Sequence, residues 1–226
     1  MTASWAFALV CGALGVLVPW LIRQLPEPDS RAAQNYSGPS LQAVGSGRWL
    51  WLATALSAAS VGGLLGAQLG WIPDLGWLAA VVPGGVALAW LDHRTRLLPR
   101  RLVFGLYAIV LLGMAAAALD AGSWVAVTRA ALGWLALGGW YFLFWRLGGL
   151  VGYGDVRLAG LLGLVLGHVG WAAVVVCWLA GPVVAVILSL LQWRPGRSWL
   201  GRKIPFGPAM LIGAVVGLAF GNPMWA

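Results

Sequence analysis

The sequence predicts an all-α polytopic membrane protein of about eight transmembrane helices, with both termini on the non-cytoplasmic side. Three observations carry this expectation. First, 61% of the 226 residues are hydrophobic and only 9% are charged, where a soluble domain carries about a quarter. So few charges cannot cover a soluble surface, and so high an apolar share excludes disorder. Second, the apolar residues run in continuous stretches rather than alternating, which points to helices rather than a membrane barrel. Third, the 14 Lys+Arg fall almost entirely into alternate connections.

Residues 3–22 form the first span. No basic segment precedes it and Arg23 follows it, so an anchored helix rather than a cleaved leader is expected. Arg23–Arg48 is rich in Pro, Ser and Gly and reads as a flexible cytoplasmic loop without a folded domain. Spans at 49–70 and 75–92 follow, then 102–119 and 124–146, the last interrupted only by Arg129. The run Leu158–Trp193 is 36 residues, and a single helix of that length, roughly 54 Å, overshoots a hydrocarbon core of ~30 Å. A turn at Gly167-His168-Val169-Gly170 divides it into spans at 155–167 and 170–191, and 206–222 completes the eight. The whole of 1–226 is then a single membrane-embedded domain, without an internal repeat. Trp20, Trp49, Trp71, Trp124, Trp171 and Trp193 lie near span ends, as interfacial belts do. Gly160, Gly163 and Gly167 give the short sixth span a small-residue face for close helix packing.

Thirteen of the 14 bases fall on one side of this arrangement, and Arg129 alone on the other. The positive-inside rule places the thirteen in the cytoplasm. That bias accounts for the basic loops, so no nucleic-acid partner is expected; the partner implied by composition is the lipid bilayer.

Six acids remain to be placed. Glu27 and Asp29 fall in the long inner loop, and Asp74 and Asp120 in short outer turns, where all four read as solvated. Asp92 and Asp155 differ, since both abut apolar runs at the cytoplasmic ends of spans. Asp155 to Gly167 is 13 residues, roughly 20 Å of helix and about 10 Å short of a crossing. Either the outer turn is sunk or Asp155 lies below the inner boundary, and an acid at that depth marks a functional site. Taken singly, Asp155 has a reading as a helix N-cap, and Asp92 as a partner of Arg94 or Arg96. Taken together, they are the only two acids on that leaflet placed so. Two carboxylates meeting in a low-dielectric site share a proton. One then deprotonates a water while the other protonates the substrate. Gly152 and Gly154 allow the tight bend and close approach such a site needs.

The stretch GYGDVRLAGLLG, Gly152–Gly163, resembles the GxGD segment of the prepilin peptidases, which are intramembrane aspartic proteases. Asp92 followed by Leu98-Pro99 resembles that family's first catalytic aspartate and its downstream Leu-Pro. Ile204-Pro205-Phe206-Gly207-Pro208 is similar to the run that opens the family's last helix, and Gly15–Pro26 resembles a degenerate copy of its N-terminal motif. The motifs occur in the family's order. The resemblance implies Asp92 and Asp155 as the catalytic pair, Gly152 and Gly154 as shaping the site, and Pro205, Phe206, Gly207 and Pro208 as framing its cytoplasmic mouth. It implies cleavage of the basic leader from a type IV prepilin or pseudopilin precursor, at the cytoplasmic face of a prokaryotic plasma membrane. No metal or organic cofactor is implied. Glu27 and Asp29 become candidates for contacting the basic leader.

The chain departs from the family's full-length bacterial members, which carry an insert with two Cys pairs after the first span. Here Cys11 and Cys177 are the only cysteines and both lie inside spans, so a zinc site of that type is not expected. Methyl transfer is associated with the insert-bearing members, so cleavage without N-methylation is expected. Arg100 also stands where the family usually has Asp or Asn. Two other readings stay open: a small proton-coupled transporter using the two aspartates as a relay, and an inactive pilin-binding scaffold. Against the first, relay acids tend to sit near the midplane, often in related halves.

Overall fold

The computed structural model describes residues 2–26, 39–71, 75–148, 151–191 and 206–221. Those residues form ten helices and no strand. In chain order they are α1 (Ala3–Val16), α2 (Val18–Arg23), α3 (Leu41–Gly45), α4 (Leu50–Leu69) and α5 (Leu75–Thr95). Then come α6 (Arg100–Ala121), α7 (Val125–Gly148), α8 (Tyr153–Val169), α9 (Trp171–Leu191) and α10 (Phe206–Phe220). Each expected span has a helix within a few residues of it. Four segments, Ala3–Arg23, Leu50–Leu69, Arg100–Ala121 and Trp171–Leu191, are long and apolar enough to cross a membrane by length and composition.

Two local features differ from the sequence expectation. The first span is not one helix: α1 stops at Val16 and α2 restarts at Val18, with Pro19 in its first turn. Proline has no N–H to continue the α1 ladder, and it fits a helix start. The expected flexible loop also holds α3, whose Ser40 hydroxyl accepts the Ala43 N–H at 3.1 Å. Arg23 Nε donates to the Gly45 carbonyl at 3.0 Å, tying α3 to the end of α2. Glu27, Asp29, Asp74 and Pro205 lie outside the described residues.

The helices associate most extensively in three pairs, α1 with α4, α7 with α8, and α9 with α10. Glycines line all three seams. A Cβ added to Gly66 would come within 2.7 Å of the Ala3 carbonyl oxygen, one on Gly167 within 2.7 Å of the Arg129 carbonyl, and one on Gly217 within 2.6 Å of the Ala173 carbonyl. In lipid, where apolar contact alone gives helices no preference for one another, such backbone approach supplies the packing.

Helix α8 sits at the centre. Its residues from Leu158 to His168 are buried without a break, so it is covered on all sides and needs no lipid-facing stripe. Its C-terminal end is closed by Arg129 of α7. The guanidinium donates to the Gly167 carbonyl at 2.8 Å, to His168 O, and to Val169 O at 3.4 Å. Those are carbonyls that a helix end leaves without intrahelical partners. The one base on the expected outer side is therefore a helix cap, and α8 is short because its end terminates on protein.

Candidate active site

Asp92 lies in the last turn of α5 and is only 5% exposed. A carboxylate so placed needs a donor. It has one from the far end of the chain: the Gly207 N–H, at the start of α10, donates to Asp92 Oδ2 at 2.9 Å. The contact is tight, because a Cβ on Gly207 would sit 2.8 Å from that oxygen. Arg94 is directed elsewhere, its guanidinium 5.3 Å above the Trp90 ring.

Asp155 occupies the third position of α8, and Gly152 is the N-cap. The Gly152 N–H donates to Asp155 Oδ2 at 2.9 Å, while the Asp155 N–H returns to the Gly152 carbonyl at 3.0 Å. Asp155 thus does cap its helix, from inside the first turn. That engages one carboxylate oxygen. Among the described residues no donor reaches Oδ1 of either aspartate.

The connection between α5 and α6 brings the two acids together. Thr95 bonds the Leu91 carbonyl at 2.7 Å, and Arg96 leaves the helix at φ 55°, the left-handed region that non-glycine residues seldom adopt. The chain then runs through Leu97, Leu98 and Pro99 into α6. Gly154 lets α8 press against this segment, since a Cβ there would lie 3.1 Å from Leu98 Cβ. Gly152 is exposed at the rim.

The result is one cavity of about 900 Å³ lined by both Asp92 and Asp155, with Arg96, Leu98, Pro99, Arg100, Arg101, Phe104 and Arg157 around them. The aspartates are within electrostatic reach of each other. The segment opening α10 stands behind this site. Phe206 packs edge-on against Tyr141 with ring centroids 6.4 Å apart, Gly207 backs Asp92, and Pro208 lines a separate apolar groove of about 490 Å³. None of the three lines the aspartate cavity itself. Among the described residues no cluster of three or more His, Cys, Asp or Glu is placed to hold a metal ion. Cys11 and Cys177 are both buried and free.

A second set of residues supports the site without having stood out in the sequence. Tyr107 of α6 donates its hydroxyl to the Arg157 carbonyl at 2.9 Å, and Trp134 of α7 donates Nε1–H to the Tyr107 oxygen at 3.1 Å. Three helices thus meet two residues beyond Asp155. The signal for this contact is spatial; 50 residues separate Tyr107 from Arg157.

A family model described as the type IV leader peptidase family matches residues 77–191, half of the chain. The chain belongs to the type IV leader peptidase family. The matched segment contains both Asp92 and Asp155. Among relatives of this family, the prepilin leader peptidase/N-methyltransferase of Stutzerimonas stutzeri is 32% identical over 174 residues, covering 73% of this chain and 57% of that protein. The protein of the same description from Pseudomonas putida is 31% identical over 148 residues, covering 62% and 48%. The one from Pseudomonas aeruginosa is 28% identical over 173 residues, covering 74% and 57%. The chain spans about half the length of these curated relatives. No solved structure matches it significantly.

Proposed function

We propose that this membrane protein is an aspartic endopeptidase that removes the basic leader from type IV prepilin-like precursors at the cytoplasmic membrane face, without N-methylation. The observation that carries the proposal is the single cavity lined by Asp92 from α5 and Asp155 from α8. The names of the relatives supply the substrate class. Two carboxylates at one low-dielectric site favour a state with one shared proton. The ionised member takes a proton from water, the water attacks the scissile carbonyl, and the protonated member donates towards the carbonyl oxygen and then the leaving amine. Gly207 and Gly152 hold one oxygen of each aspartate through main-chain N–H groups, leaving the other oxygen of each for water and substrate.

The reading includes eight spans, both termini outside, and a cavity that opens to the cytoplasm, supported by the thirteen-to-one division of bases. The cavity is lined by Pro26, and Glu27 and Asp29, next after it in sequence, are proposed to attract the basic leader, and Pro205 to help frame the mouth of the site.

Co-expression with a prepilin-like substrate tests the proposal. The wild type is expected to shorten the precursor, and Asp92→Asn or Asp155→Asn to reduce processing by roughly 1,000-fold or more while the protein still accumulates in the membrane. Processing that survives both substitutions overturns the dyad. The released mature chain is expected to carry an unmodified amino terminus by mass spectrometry. Because one proton must be shared, the rate should fall on both the acid and alkaline sides of an optimum.

A further inference from the structure

Helices α7 and α8 run antiparallel in a register fixed by close contacts. A Cβ on Gly138 would lie 3.2 Å from Gly160 Cα, and further along the seam the Trp145 and Tyr153 ring centroids are 5.0 Å apart. Tyr141 falls between these two contacts, so it stands level with the first turns of α8, which carry Asp155. Tyr141 is buried, and a Cβ on Gly181 of α9 would lie 3.9 Å from its hydroxyl oxygen. Asp155 is within electrostatic reach of that hydroxyl.

The ring of the same residue leads to the other acid. It meets Phe206, the first residue of α10, edge-on, and the Gly207 N–H next in sequence holds Asp92. One side chain of α7 thus bears on both aspartates, although it does not line the cavity they share.

Tyr107 uses its hydroxyl twice, donating to the Arg157 carbonyl and accepting from Trp134. Among the described residues no hydrogen bond engages the Tyr141 hydroxyl. A phenol in an apolar interior needs a partner. An ionised carboxylate offers about four lone-pair sites, so Asp155 can accept a second donor without releasing Gly152. The other titratable and charged groups nearby are Asp92 of α5, Arg96, Arg100 and Arg101 of α6, and Arg157 of α8, all on the cavity lining, with Cys177 of α9 close to the Tyr141 hydroxyl. Helix α10 contributes none.

We infer that Tyr141 is a positioning residue of the aspartate pair: its hydroxyl donates to the ionised Asp155 carboxylate, and its ring holds the start of α10 so that the Gly207 N–H stays on Asp92. The inference rests on the endopeptidase reading of the cavity. Because Tyr141 lies outside the space a peptide occupies, it acts on the chemical step and not on peptide binding.

The test uses the purified full chain in phosphatidylcholine nanodiscs and two variants. Tyr141→Phe keeps the ring and its packing and removes the hydroxyl, while Tyr141→Leu removes both. Dicyclohexylcarbodiimide, which modifies protonated carboxyl groups, is applied at pH 5 and pH 7, and the adduct on Asp155 is quantified by mass spectrometry. Losing a hydrogen bond to the charged form leaves more of the carboxyl protonated at pH 7. The pH 7 to pH 5 labelling ratio should therefore rise roughly fivefold or more in Tyr141→Phe. With a prepilin-like peptide, Tyr141→Phe should lower kcat roughly tenfold and leave KM within about twofold. Tyr141→Leu should lower kcat several-fold further. If the wild type cleaves nothing but the labelling ratio rises, the endopeptidase reading fails and the contact with Asp155 stands. An unchanged labelling ratio overturns the inference, as does an effect confined to KM or a kcat that Tyr141→Phe leaves intact. A Tyr141→Leu variant no slower than Tyr141→Phe overturns the link through Phe206 to Asp92.

Discussion

Asp92 and Gly207 are 115 positions apart in sequence, yet the Asp92 carboxylate is fixed by the Gly207 main chain. Because a Cβ at position 207 would meet Asp92 Oδ2 at 2.8 Å, Gly207→Ala should push the carboxylate out of register. A displacement of about 1 Å at a catalytic group can cost on the order of 100-fold. The expected result is a large fall in precursor processing, measured by gel shift, with membrane accumulation unchanged. Gly154→Ala should act in the same direction but less, since the Leu98 side chain it meets at 3.1 Å can yield. The acids themselves stood out in the sequence because six carboxylates in an apolar chain leave few places to look. Their partners did not. A glycine in the first turn of a helix carries no local mark of which distant oxygen its N–H will face, and the left-handed turn at Arg96 has no glycine to announce it.

At the scale of elements, the Tyr107 hydroxyl joins α6, α7 and α8 in one polar contact. Gly160 makes room for it, because a Cβ there would lie 2.5 Å from the Tyr107 oxygen and 2.7 Å from Trp134 Nε1. Tyr107→Phe removes the hydroxyl and leaves the Trp134 N–H without its acceptor. Interhelical hydrogen bonds in membranes contribute roughly 0.6–1.7 kcal/mol, so thermal unfolding in detergent should show a small loss of stability. Gly160→Ala should cost more, since it drives the three helices apart. Arg129→Gln should destabilise by roughly 1–3 kcal/mol by uncovering the last carbonyls of α8, again read by thermal unfolding. Helix positions were legible from the charge gaps because bilayer thickness sets span length. The break at Leu17 and the small helix α3 were not, since each depends on a local proline or cap within a stretch whose composition says only apolar or polar.

For the molecule as a whole, the proposed topology is the most exposed to a direct check. Alkaline phosphatase fused after residue 122 should be active and after residue 148 inactive, because the proposed topology puts those ends of α6 and α7 on opposite sides. The reverse pattern removes the cytoplasmic placement of the site. The distribution of bases carries that orientation. What it does not carry is how the helices group, because glycine seams are written in backbone distances that composition does not record. The grouping matters in time as well as space. Asp92 arrives on α5, Asp155 on α8, and the N–H that holds Asp92 only with α10. Chains organise from the N-terminus during synthesis, so a partly made chain has both acids embedded before the first is in position. On the proposed reading, catalytic competence therefore comes only with the docking of α10, the last described helix.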